Sequence, residues 1–273
     1  MLASVGNTAP LHGPRRRRTE GALPGASGAR QCSVVRLLDR LDVLTRRSEV
    51  SGSAPPPTAA ESRALLASRV SAKLRVGAPV ADAMFDELYP WSIRSMSRVY
   101  WTPLRVALRC AELLVGRAPG VRVLDVGSGA GKFCAIGALA TQGLFTGIEQ
   151  YPRLIEHATD VAALLGATTA TFVQGFFTSL HPEDFDAIYF FNPFEENAWP
   201  RPFHHDRTAP LVRGTFEGNV AEAQAFLRGA RPGTRVVAYN GLGGPMPSGY
   251  ELLEREELGC VIELWVRRGR QRS

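Results

Sequence analysis

The segment VLDVGSGAGKF, residues 123–133, gathers residue types that can do chemistry: one carboxylate and three glycines at alternate positions, Asp125, Gly127, Gly129 and Gly131. It closes a β-rich run and opens a run of helical period. In that context a glycine turn brings backbone amides up to a ligand's polar groups. Glycine is the residue that gives positive φ and close backbone approach at little cost. Three ligand chemistries compete for such a turn. A phosphate cradle needs G-x-x-x-x-G-K-[ST], and Gly131-Lys132 has that ending. Val126, however, stands where the first glycine belongs, and Phe133 where the hydroxyl belongs. The dinucleotide pattern G-x-G-x-x-G needs glycine at 132 or 134, where the chain has Lys132 and Cys134. The third pattern, D-x-G-x-G-x-G, is matched at every position. A carboxylate beside the turn attracts a cationic ligand and repels a pyrophosphate.

At these residues the sequence resembles the class I S-adenosylmethionine-dependent methyltransferases. The cofactor so implied, S-adenosyl-L-methionine, is a sulfonium with an amino-acid tail and no pyrophosphate. The resemblance assigns Asp125, Gly127, Ser128, Gly129 and Gly131 to its binding. Glu149 ends the β-rich run LFTGIE, 18 residues after Gly131, where the family's acidic residue accepts hydrogen bonds from the ribose hydroxyls; Gln150, next to it, is also expected to bind the cofactor. The family often has an acid at the end of the third strand, to meet the adenine. This chain has Gln174-Gly175-Phe176-Phe177 there, so Phe176 is expected either on the adenine face or in the core.

The fourth β-rich run ends in FFNPF, residues 190–194. In such a sheet the fourth strand ends beside the first, where the ligand lies. Asn192, Pro193 and Phe194 resemble the (D/N)-P-P-(Y/F) loop of N-methyltransferases that act on planar amines, with one proline missing. The resemblance implies that Asn192 orients an acceptor nitrogen, that Phe194 stacks on the substrate, and that Asn192 also borders the cofactor. The bland alternative is that Pro193 ends the strand and Phe194 packs beneath the next loop. Residues 195–219 are long and polar for a connection and read as a lid. Glu195 and Glu196 within them are either partners for a cationic substrate or surface charges. Trp101 is expected either as a wall of the cofactor pocket or as a core residue.

The elements that must position these residues follow from periodicity. Short β-rich runs at 121–126, 144–149, 170–175, 186–192, 235–240 and 260–266 alternate with helical stretches. Near-continuous apolar strands separated by helices imply a parallel sheet covered on both faces. The expected fold is α/β: a Rossmann-like, doubly wound, mostly parallel seven-stranded sheet, with the reversed final strand that the resemblance implies, preceded by a helical N-terminal segment. Within that segment Thr58 and Glu61 form a capping-box signature, with Leu65, Leu66, Val70 and Leu74 as the buried face. Thr102 and Pro103 are placed to cap and start a helix over 102–114. The expected divisions are a disordered basic arm with a short helix over 1–57, a helical segment over 58–118 and the cofactor-binding domain over 119–273.

Of the net charge of +6, the first sixty residues hold +5, nine arginines against four acids. The basic balance therefore belongs to the arm, and the near-neutral body places RNA behind the other acceptors, a protein side chain first and a small molecule next. The four cysteines are scattered without C-x-x-C spacing, so reduced thiols are expected, and no metal. His204, His205 and Asp206 read as a solvated loop rather than a metal site. No apolar run approaches the roughly 18–20 residues that span a bilayer. No membrane attachment is expected, and a cytoplasmic setting is the default. The functional expectation is methyl transfer to nitrogen on a protein or small molecule. The alternatives are a non-catalytic module that keeps the fold for binding, and, behind it, an NAD-dependent oxidoreductase.

Overall fold

The computed structural model describes residues 56–95, 97–191, 216–257 and 260–269. Helix α1, Ala59–Arg75, begins where the sequence signals it: the Thr58 hydroxyl accepts from the Glu61 amide, and the Glu61 carboxylate accepts from the Thr58 amide. Ala67, Val70 and Leu74 form its buried stripe. Leu65 is 61% exposed, contrary to expectation. The i, i+4 spacing of Leu66, Val70 and Leu74 sets the inward face, and Leu65 is turned about 100° off Leu66.

Short helices follow at Asp82–Asp86 (α2), Trp91–Arg94 (α3) and Ser97–Tyr100 (α4), and then α5 runs from Leu104 to Val115. The expected cap of α5 is corrected here. Pro103 occupies the N-cap position and the helix starts at Leu104, whose amide donates to Asp82 Oδ1 at 2.8 Å. The Thr102 hydroxyl instead shares a buried hydrogen bond of 2.8 Å with the Tyr189 hydroxyl. The acceptor for the orphan amide comes from α2, which no local pattern could signal.

Seven strands form one mixed sheet in the order β3-β2-β1-β4-β5-β7-β6. They are β1 Arg122–Val126, β2 Leu144–Glu149, β3 Ala170–Gln174, β4 Ala187–Phe191, β5 Arg235–Tyr239, β6 Tyr250–Glu257 and β7 Val261–Arg267. The first five run parallel, and β7 lies antiparallel to both β5 and β6. Helices α6 (Lys132–Ala140), α7 (Pro152–Leu165) and α8 (Phe216–Gly229) connect strands.

Alternate strand residues feed two cores, as the twofold period of a strand requires. Val123, Phe145 and Tyr189 pack with α1, α5, α6 and α7 on one face, while Leu124, Ile148, Ile188 and Val236 pack with α8 on the other. The strand order reverses at β1: the chain goes outward through β2 and β3, then returns to place β4 on the other side of β1. That reversal opens a crevice at the carboxyl ends of β1 and β4.

Candidate functional site

The turn after β1 is built from positive-φ glycines, Gly127 at 74°, Gly129 at 55° and Gly131 at 79°. The amides of Gly127 and Ser128 donate to the Ile148 carbonyl, both at 3.0 Å, which ties the turn to β2. The Gly129 amide donates to Glu149 Oε2 at 3.0 Å, and the Tyr151 amide to Glu149 Oε1 at 3.0 Å. Both oxygens of Glu149 are thus aimed by backbone, and its side chain is almost wholly buried. A Cβ on Gly129 would meet nothing within 4 Å. One on Gly131 would come within 2.7 Å of Ala158 Cβ and the Phe172 ring. Gly131 is the left-handed N-cap of α6, and its bare Cα lets α6 close onto α7 and the sheet.

Asp125, Gly127, Ser128 and Gly129 line one pocket, together with Glu149, Gln150 and Phe176. Gly131 is absent from that lining. Phe176 is half-buried on the pocket wall; Phe177 also borders the pocket, but it is 2% exposed and packs edge-on against Phe226 in the second core. Trp101 lines the same pocket and is 7% exposed, packed in the first core.

Asp125 carries the main electrostatic tension. It is 3% exposed, and the Cys134 thiol donates to its Oδ2 at 3.3 Å. Burial pushes its pKa up to about 7; the Cys134 hydrogen bond lowers it and the nearby Glu149 charge raises it. A cation arriving beside this group would favour its ionised form.

Lys132 is the residue that sequence reasoning passed over. It is 5% exposed, and its Nζ lies 2.6 Å from Asp82 Oδ1 and 2.8 Å from Asp86 Oδ1. The same ammonium stands 5.5 Å from the Trp101 ring centre and 5.6 Å from that of Phe85. Asp82 therefore joins Lys132 to the start of α5 and fixes the stretch 100–102 that walls the pocket. The available signal was the i, i+4 pair of aspartates in VADAMFD, which puts two carboxylates on one helix face. Tyr89 adds a second tie, its hydroxyl donating to the Ala130 carbonyl at 3.0 Å and its ring 4.6 Å from that of Trp101. Two polar side-chain atoms of the lining, Ser128 Oγ and Trp101 Nε1, are buried without a hydrogen-bond partner.

Asn192, Pro193 and Phe194 lie outside the described residues, as do Glu195, Glu196, His204, His205, Asp206, Cys32, residues 1–55 and most of the expected lid. The preceding residue, Phe191, lines the pocket. Cys110 and Cys134 are buried free thiols and Cys260 is an exposed one. Among the described residues, no group of three or more His, Cys, Asp or Glu side chains is arranged to hold a metal ion. None of the described helices is long and apolar enough to cross a membrane.

Residues 117–211 match a family model described as a methyltransferase domain. That stretch is about a third of the chain and contains the glycine turn, Glu149 and the end of β4. The matched segment is thus similar to methyltransferase domains, and the match falls on the glycine turn and the strand ends that line the pocket.

Among solved structures, an RNA methyltransferase from Salinibacter ruber in complex with S-adenosyl-L-homocysteine is 20% identical; the alignment covers 62% of this chain and 95% of that one, with a TM-score of 0.46. TrmN from Thermus thermophilus is 21% identical, over 64% of this chain and 52% of that one, with a TM-score of 0.46. A SAM-dependent methyltransferase from Thiobacillus denitrificans, also in complex with S-adenosyl-L-homocysteine, is 16% identical over 62% and 74%, with a TM-score of 0.40. No curated protein matches the chain in sequence.

Proposed function

We propose that this enzyme transfers a methyl group from S-adenosyl-L-methionine to a nitrogen on a protein or small-molecule acceptor. The observation that carries the reading is one pocket at the reversal of strand order, where Asp125, Gly129 and Glu149 converge. Its donor set fits the cofactor's chemistry. Glu149, its oxygens held by two amides, retains lone pairs for a pair of ribose hydroxyls. Asp125 offers negative charge to an ammonium and a positive sulfur. Phe176 offers an aromatic face to a purine. Gly127, Ser128 and Gln150 complete the wall, and Gly131 acts by packing α6 behind it.

When bound, the cofactor supplies an electrophilic methyl carbon on a sulfonium leaving group. What remains for the chain is to orient an acceptor lone pair in line with it and to exclude water. Asn192, Pro193 and Phe194 are the residues proposed for that work, with Asn192 also bordering the cofactor. What supports them is their place directly after Phe191, a pocket residue at the end of β4. Among acceptors, RNA ranks behind protein and small molecule because the charge of residues 61–273 is close to balanced. The buried free thiols of Cys110 and Cys134 suit the reducing, cytoplasmic setting proposed with this activity.

The test titrates S-adenosylmethionine, S-adenosylhomocysteine and NAD by calorimetry into wild type and the Asp125→Ala, Glu149→Ala double variant. Binding of the first two but not NAD, lost in the double variant, is expected. A folded wild type that binds neither adenosyl compound defeats the proposal. Asn192→Ala should then lower methyl transfer to any acceptor found by much more than it weakens cofactor affinity. Unchanged transfer removes Asn192 from the site.

A further inference from the structure

The polar groups of the pocket are unevenly distributed. Two carboxylates, Asp125 and Glu149, stand at the ends of β1 and β2, while Lys132 and Trp101 meet in another part of the lining. S-adenosylmethionine carries its positive charge on sulfur and ammonium and its one negative charge on the tail carboxylate. That carboxylate is repelled by Asp125 and Glu149 and needs a hydrogen-bond donor elsewhere in the lining. Where Lys132 and Trp101 meet, the two donor groups differ. The Lys132 ammonium is already bound by Asp82 and Asp86, so two carboxylates offset its charge before any ligand arrives. The Trp101 side chain is 7% exposed, lines the pocket, and has an indole N–H with no partner. A buried indole donor of this kind usually finds an acceptor.

Resting on the cofactor reading above, we propose that the Trp101 indole N–H is the hydrogen-bond donor that receives the cofactor's tail carboxylate. The Asp82–Lys132 link acts as its support. Asp82 accepts from both the Lys132 ammonium and the Leu104 amide, and so fixes the chain on which Trp101 sits. Lys132 beside the ring holds the indole plane by a cation–π contact. Trp101 then selects for the amino-acid tail, while Glu149 and Phe176 select for the nucleoside.

The test compares S-adenosylmethionine with its decarboxylated analogue, which keeps the sulfonium and the amine and lacks only the carboxylate. Calorimetric Kd values are measured for both on wild type and on Trp101→Phe, which keeps an aromatic wall and removes the N–H. A hydrogen bond to a charged group is worth about ten- to hundred-fold in affinity, so Trp101→Phe should lose about that factor for S-adenosylmethionine and almost none for the analogue. Equal losses for both ligands would make Trp101 a wall only and overturn the inference, as would no loss for either. Wild type that binds neither ligand overturns the cofactor reading itself and this inference with it.

If Trp101→Phe does not melt cooperatively, the wild type answers by nuclear magnetic resonance. The Trp101 indole N–H signal, assigned by substituting Trp91, Trp199 and Trp265 in turn, should move on adding S-adenosylmethionine and stay in place with the analogue. The same displacement by both ligands overturns the inference.

Discussion

Replacing Asp125 by Asn should make the empty protein more stable at alkaline pH while destroying its affinity for the cofactor. The reason lies in where the carboxylate sits. At 3% exposure its pKa is pushed up to about 7, from an ordinary value of 3.8. The native state therefore holds the proton more tightly than the unfolded chain, and stability falls as pH rises through that window and levels off above about pH 7. At 1.36 kcal/mol per pKa unit, the penalty at pH 8 is on the order of 4 kcal/mol. Asn is nearly isosteric, accepts from the Cys134 thiol through its amide oxygen, and carries no charge to desolvate.

Urea denaturation at pH 5 and pH 8, with and without S-adenosylhomocysteine, measures both effects. Without ligand, wild type should lose stability between the two pH values relative to the variant, and the variant should exceed it at pH 8 by a few kcal/mol. With ligand the order should reverse, because only the ionised carboxylate gains from the ligand's ammonium. Parallel pH profiles for the two proteins would refute the burial argument. Equal stabilisation of both by ligand would refute the assignment of Asp125 to the cofactor.

Two further outcomes follow from the packing. Lys132→Met strips the counter-charge from Asp82 and Asp86, and Asp82 is partly exposed, so the loss should be about 2–4 kcal/mol in urea denaturation rather than the full value of a sealed pair. Cofactor affinity should fall with it, because the wall at 100–102 loses its anchor; unchanged affinity would show that Lys132 serves the fold alone. Gly131→Ala places a methyl group 2.7 Å from Ala158 and Phe172 at a φ of 79°. Strain and overpacking together should cost about 2–4 kcal/mol, measurable as a lower urea midpoint, whereas a neutral substitution would mean that the turn relaxes.

Much of the site was legible before any coordinates, because the chemistry of a strand-to-helix turn is local. The carboxylate of Asp125, the spacing of Gly127, Gly129 and Gly131, and Glu149 at the end of the next strand are all within one β-α-β unit. Six of the seven strands are legible for the same reason, their apolar runs being short, bounded by turns and period-matched; β6, Tyr250–Glu257, is charged and largely exposed and falls outside those runs. What escaped were the features that join distant parts of the chain. Nothing near Leu104 announces that Asp82 will accept from its amide, and so Thr102 was assigned a capping role that it does not fill. Leu65 lies outside the buried face of α1 because the stripe's width depends on how α6 and α7 approach that helix.

The sequence by itself determined the residue types, the order of strands and helices along the chain, and the glycine turn with its carboxylate, because each depends on neighbours within a few residues. Only the tertiary structure decided that Lys132 is spent on Asp82 and Asp86, that Gly131 packs rather than lines, that Phe177 is sealed into the second core while Phe176 stays half-buried beside it, and that Trp101 stands in the wall with its N–H unpaired. Those outcomes depend on which surfaces meet across the sheet, and burial and charge pairing are settled there rather than in any local pattern.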